Sequence, residues 1–357
     1  MHADIAFIGA GLANLSLLYR MQSIEAFQSK NIVVIEPQAK NTNDRTWCFW
    51  AKNEPLFSEL SQYRWSDLAF KENALEETQA IEPYTYYHLD SKDFYGKVID
   101  SIQYNLNIEW VTSAVNDVEL NEKESILHLS DNTSITSPLV FNNSLKHSGN
   151  EIEKNGLKQH FYGLRIRLKE GKLPFHSVKL MDFSLDETEN TTQFGYILPF
   201  SDQEALIEYT EFSSKIRSKE EYLDLLKNYI TQFDLADYVI LDEEMGVIPM
   251  SDLSFKDRRN EKFINTGMAG GLTKPTTGYT FQFVQKDSEL IIRALLNNSS
   301  IPERKRKRRT RFYDRLLLRI IDQEPQQVPR IMSCLFSRNR FKSILKFLDE
   351  ETNLLEE

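Results

Sequence analysis

Glycine is scarce in this sequence: 13 of 357 residues, about half the usual share of roughly 7%. Places where glycines cluster are therefore informative. Cysteine is scarcer still. Cys48 and Cys334 cannot build a disulfide framework and lack metal-site spacing, which fits a reducing cytoplasm. The six histidines show neither triad nor ligand spacing, so no metal chemistry is expected. No run of about 18 apolar residues occurs, so no membrane span is expected. The opening, MHADIAFIGAGLANL, has no basic stretch before its first strand pattern, and a signal peptide is not expected.

Positive charge is sparse in most of the chain. The net charge is −10, yet Arg304 to Lys346 holds 14 Lys and Arg against three acids. An acidic body with a basic tail region suggests attraction to a polyanion. FKSILKFL places Phe341, Ile344, Leu345 and Leu348 on one helical face beside Lys342 and Lys346, a pattern that suits a helix lying in a membrane interface. A helix docked on the body with a solvated basic face is the alternative. The run RKRKRRTR comes with no nucleic-acid recognition motif, and nucleic acid is not an expected partner.

Two glycine clusters stand out. DIAFIGAG reads as a buried strand ending in a turn, LANLSLLYRMQSI as a helix, and KNIVVIEP as a second buried strand. This is a βαβ unit with Gly9 and Gly11 in the first two glycine positions of the dinucleotide fingerprint and Asn14 in place of the third. The first glycine allows the tight turn, and the second lets backbone approach a pyrophosphate at a helix N-terminus. Glu36, ending the second strand, is placed for ribose hydroxyls. Late in the chain, KFINTGMAGGLTKPTTGYTFQF repeats the strand, glycine turn and helix, using Gly267, Gly270, Gly271 and Gly278. An N-terminal fingerprint with a second such turn is how many FAD-binding folds close. The two turns are expected to hold opposite ends of one cofactor.

Between them, HFYGLRIRLKEG, HSVKLMDFSL, TTQFGYILPFS and EALIEYTEFS are short alternating segments that predict an antiparallel sheet. KEEYLDLLKNYITQF predicts a helix with Tyr222, Leu225, Leu226, Tyr229 and Ile230 on one face.

The segments GAGLANLSLL, DRTWCFW, LMDFS, YILPFS, ALIEYTEFS, MGVIPM and GGLTKPTTGYTF together resemble the bacterial flavoprotein type of lycopene cyclase over nearly the whole chain. The resemblance implies an α/β (α+β) fold: an FAD-binding Rossmann-like domain of the p-hydroxybenzoate hydroxylase type, an antiparallel-sheet substrate domain and a helical C-terminal region. The expected division is 1–60, 85–150 and 245–300 for FAD, 61–84 and 151–244 for substrate, and 301–357 as the basic helical region. It also implies conversion of the linear ends of lycopene to β-ionone rings, through γ-carotene to β-carotene. FAD would be reduced by NAD(P)H or another donor, without net redox change. The implied setting is the inner face of the cell membrane, with lycopene, cyclic carotenoids and surface lipids as partners. An FAD- and NAD(P)H-dependent monooxygenase or isoprenoid reductase of the same fold remains the alternative.

Ring closure requires a proton for a trisubstituted double bond, stabilisation of a tertiary cation, and a base. A carboxyl group in an apolar surround has a raised pKa and can be the neutral donor. Glu208, in the family's acidic motif, is the leading candidate. The family often has a second acid next to it, where this chain has Tyr209. Glu211 can substitute, although strand alternation puts it on the opposite face from Glu208. Asp182 is a secondary candidate. Trp47, Phe49 and Trp50 offer π-faces to a cation, and Tyr279 and Pro275 belong to the matched second turn. Arg45 suits either an FAD phosphate or an acidic partner.

Overall fold

The computed structural model describes residues 1–148, 156–185, 190–235, 237–251, 262–302 and 306–357. Arg304 and Lys305 of the basic run, and 252–261 of the expected FAD-binding segment, lie outside them.

A five-stranded parallel sheet runs in the order Phe263–Asn265, Val140–Asn142, Ile5–Ile8, Ile32–Ile35, Ile108–Val111. Its strands are apolar on both faces, as a doubly covered parallel sheet requires. Ile5, Phe7 and Val34 face the helices Leu12–Gln22, Ser91–Ile102 and Phe281–Leu296, while Ala6, Ile8, Val33 and Ile35 pack under the antiparallel meander Val115–Leu120, Ser125–Leu129, Ser134–Ser137.

The second large sheet has seven strands, in the order Tyr238–Pro249, Lys158–Leu168, Glu204–Ser213, Thr192–Pro199, Val178–Asp182, Asp67–Glu72, Leu75–Ala80. One pairing departs from the antiparallel expectation: Val178–Asp182 runs parallel to Asp67–Glu72, because the two come from distant parts of the chain and no hairpin joins them. Residue 245, expected to begin the last FAD-binding segment, lies inside Tyr238–Pro249, whose ladder with Lys158–Leu168 continues unbroken to Pro249.

Alternation gives this sheet two different faces. Leu164, Ile166, Ile207 and Tyr209 pack against Tyr222, Leu226, Tyr229 and Ile230 of the helix Lys219–Thr231. That helix is started by a reciprocal capping box between Ser218 and Glu221. Leu225, expected on the same face, is only half-buried. On the other face, Leu180, Phe194, Leu206 and Phe212 meet the C-terminal helices Arg308–Gln323, Val328–Arg338 and Phe341–Leu348. A small antiparallel sheet, Thr46–Ala51, Thr85–Asp90, Tyr63–Trp65, stands between the two large ones.

The C-terminal helices correct one expectation. Phe341, Ile344 and Leu345 are buried in the core shared with the seven-stranded sheet, so the apolar face of Phe341–Leu348 is covered by protein and not by lipid. The exposed apolar side chains of this region are elsewhere: Phe312, Leu316 and Ile331 on the helices, and Leu354 and Leu355 beyond them. Among the described residues no helix is long and apolar enough to cross a membrane, and no group of His, Cys, Asp and Glu is arranged to hold a metal ion.

Candidate active site

The two glycine turns leave Ile5–Ile8 and Phe263–Asn265, the strands on either side of Val140–Asn142, and meet at Asn143. Gly9 has φ +83° and Gly267 φ +54°, backbone that favours glycine. Gly11 needs no positive φ; a Cβ there would collide with the Asn143 amide, and one on Gly267 would come within 2.6 Å of Asn143 Oδ1. The turns thus start close together, on either side of Asn143. Asn14, in the third fingerprint position, ties them together. Its amide donates to the carbonyls of Ile8, Gly9 and Phe141, and its Oδ1 accepts from Thr266 at 2.7 Å. Glu36 accepts from Ala10 N at 2.8 Å and Gln38 N at 3.1 Å.

A cavity of about 730 Å³ opens beside these turns, within the usual size range of ligand sites. Gly11, Ala13, Lys40, Arg45, Gly267 and Gly278 line one part of it; Gly9, Asn14, Glu36, Gly270, Gly271 and Pro275 do not. The helices Leu12–Gln22 and Phe281–Leu296 both begin at this cavity, and neither N-cap side chain accepts a hydrogen bond from its helix. Two uncapped helix N-termini with Lys40 and Arg45 nearby suit the negative charge of a dinucleotide cofactor.

The rest of the cavity is largely apolar, walled by Leu180, Met181, Phe194, Phe212, Leu335 and Phe347. Into it projects a row of residues in register across four strands: Glu244, Gly163, Glu208 and Tyr196. Glu208 is only 7% exposed. Burial first, then its hydrogen bond to the Glu244 carboxyl and the repulsion between the two, hold Glu208 well above the usual carboxylate range. A Cβ on Gly163 would lie 2.8 Å from Glu208 Cγ and 3.2 Å from Glu244 Cγ; the missing side chain is what lets the carboxyls approach. Glu244 Oε2 accepts from Thr46 at 2.5 Å, while its Oε1 is buried with no protein donor. Beyond Glu208, the hydroxyls of Tyr196 and Tyr86 are 2.9 Å apart, and those of Tyr86 and Tyr279 3.4 Å. Burial pushes the Cys48 thiol, next to them, far up.

The other acids are placed elsewhere. Asp182 is fully buried, accepting from Ser184 and, at 2.9 Å, from the Tyr229 hydroxyl. Glu211 is on the helix-facing side, held at 2.5 Å by Arg217. Neither lines the cavity. Tyr209 faces the same way, so a second acid at that position would not meet Glu208 either. Of the expected aromatics, Trp47 and Tyr279 line the cavity; Phe49 stacks on Phe281 at 3.9 Å and Trp50 packs edge-on to Tyr279 at 4.5 Å, outside it. The residues that sequence reading missed are Glu244, Thr46, Cys48, Tyr86 and Tyr196. Gly163, isolated within a strand pattern, was the available signal of a close approach.

The turn also anchors the C-terminal helices. Lys274, buried, pairs with Asp314 at 3.0 Å and Glu350 at 3.6 Å, Arg306 joins both acids, and Thr276 donates to Asp314.

A family model described as lycopene cyclase protein matches residues 4–357. The chain belongs to the lycopene cyclase family. No curated protein matches it by sequence. Among solved structures, this lycopene cyclase family member is similar to a geranylgeranyl bacteriochlorophyll reductase-like protein from Thermoplasma acidophilum, with a TM-score of 0.64, 11% identity, and coverage of 98% of this chain and 99% of that one. It is also similar to p-nitrophenol 4-monooxygenase from Pseudomonas putida, at TM-score 0.63, 12% identity and 98% of each chain. A third is a probable FAD-dependent monooxygenase from Pseudomonas aeruginosa, at TM-score 0.62, 13% identity, 93% of this chain and all of that one. The fold is therefore the mixed α/β fold of FAD-dependent monooxygenases and reductases.

Proposed function

We propose that this chain is an FAD-dependent lycopene β-cyclase. One observation carries the reading: a buried carboxyl group, raised well above the usual carboxylate range, at the wall of a mostly apolar cavity in a member of the lycopene cyclase family. The ψ-end of lycopene enters between the C-terminal helices and the seven-stranded sheet. Glu208 gives its proton to the terminal double bond, the next double bond closes on the tertiary cation, and the Glu208–Glu244 carboxylate pair removes the ring proton. Tyr86, Tyr196, Tyr279 and Trp47 offer π-faces and hydroxyl dipoles to the cation. Gly11, Lys40, Arg45, Gly267 and the two uncapped helix starts would hold FAD, which when bound and reduced supplies an electron-rich face next to the cation.

The substrate comes from a bilayer, and the outer face of Arg308–Gln323 suits contact with one. Arg308, Phe312, Arg315, Leu316 and Arg319 are all exposed along it, apolar anchors among cations. The reading places the protein on the cytoplasmic face of the membrane. A monooxygenase or isoprenoid reductase is the competing reading, favoured by the fold it shares with such enzymes.

Purified protein loaded with FAD and reduced, given lycopene in liposomes, separates these. Cyclic carotenoid without stoichiometric NAD(P)H consumption supports the cyclase. An oxygenated or hydrogenated product formed mole for mole with NAD(P)H oxidation rejects it.

A further inference from the structure

The large cavity has a small polar neighbour of about 20 Å³, room for about one water. Thr46 and Glu244 line both. Asn43, His88, Asp90 and Arg165 line it with the apolar Phe200 and Leu206, and the exposed Asp242 and Glu243 also border it. Glu244 therefore sits in the partition between an apolar chamber and a polar one connected to the surface.

The polar chamber is chemically suited to carry protons. Glu244 Oε1, buried and without a protein donor, is free for a water or for the Glu208 proton. His88, 4% exposed, is pushed down to about 4 by burial and is a neutral imidazole; its Nε2 lies 3.6 Å from Asp90. Burial raises the Asp90 carboxyl, so it too can hold a proton. Arg165 is a fixed cation, tied to Glu204 at 2.6 Å. The groups that face Glu244 are Glu208 across Gly163, Thr46 and Cys48 on one neighbouring strand, His88 and Asp90 on the next, Arg165 on the central strand and Asp242 on its own, whereas the Glu243 carboxyl is held on the other face by Tyr162 and Lys219.

We propose that Glu244, Thr46 and this polar pocket form a proton route that exchanges the Glu208–Glu244 pair with solvent while the large cavity is closed by substrate. The proposal rests on the cyclase reading above. The chemistry balances without it: one proton leaves Glu208 to form the new C–H bond, and one returns to the pair from the ring. The route adds an equal exchange, in which a pair proton passes to pocket water as a solvent proton enters. It keeps the acid's proton from being only the one removed in the previous turnover.

Cyclisation in D2O reads the exchange as deuterium per ring formed, compared between variants at matched turnover. The wild-type protein is expected to give labelled rings. Thr46→Val, which removes the hydroxyl on Glu244, and Asp90→Asn, which removes a protonatable carboxyl, are each expected to lose label from the rings they still form. Unlabelled rings from the wild type, or full labelling in both variants, overturn the route; the second result assigns exchange to the large cavity. Absence of any ring from folded, FAD-loaded wild-type protein instead overturns the cyclase reading, and the route with it.

Discussion

Glu208 and Glu244 face one another across Gly163, each in register with it from a flanking strand. The two carboxyls meet because the residue between them has no side chain, and burial together with the neighbouring carboxyl holds Glu208 well above the usual carboxylate range. A neutral acid and a carboxylate side by side are what a redox-neutral proton transfer to and from one substrate requires.

Gly163→Ala tests the geometry. The new methyl would press on Glu208, Glu244 and Leu206 Cδ1 at 2.8–3.2 Å. We expect about 1–3 kcal/mol of lost stability and loss of cyclisation, measured by chemical unfolding and product analysis. Gly96→Ala is the control. It lies in the helix Ser91–Ile102 with nothing within 4 Å of the added carbon, and should stabilise by roughly 0.5–1 kcal/mol.

Stability should carry the signature of Glu208. Its folded pKa is raised above the ordinary value of 4.5, so its contribution is complete below that pH. The contribution is lost as pH rises through the folded pKa. Unfolding measured against pH should show this decline in the wild type and a flatter curve in Glu208→Gln. Identical slopes would mean that Glu208 is ionised in the folded protein.

The ion cluster at the second turn should hold the C-terminal helices to the cavity. Lys274→Met removes the lysine from both Asp314 and Glu350, and breaking a buried pair in this way should cost about 3 kcal/mol. Thermal unfolding would register it, together with greater proteolysis near Arg308–Gln323.

Membrane contact should depend on Phe312 and Leu316. Replacing both with Ser removes largely exposed apolar surface. It should weaken sedimentation with anionic vesicles roughly tenfold while the unfolding midpoint stays in place.

Part of the cavity lining was legible in the sequence, for physical reasons. Gly9, Gly11 and Glu36 mark a βαβ unit because few other residues fit that turn, and Glu208 stands out as an acid within an apolar strand. Glu244 did not stand out. It sits in LDEEMGVIPM among Asp242 and Glu243, and only the register against Gly163, after a bulge between Arg165 and Ile166, shows which acid turns inward. Phe341–Leu348 misled because an apolar face beside lysines looks the same whether protein or lipid covers it. Trp50 lies on the opposite face of its strand from Trp47, whereas Phe49 shares the Trp47 face and is covered by Phe281.

The most direct test is pigment analysis of lycopene-accumulating bacteria expressing the wild type or Glu208→Gln. Cyclic carotenoid from the wild type is expected. The variant should remain folded and yellow with bound FAD but lose at least about 100-fold in cyclisation. Unchanged lycopene with folded, FAD-bound wild-type protein, or full cyclisation by Glu208→Gln, would contradict the account.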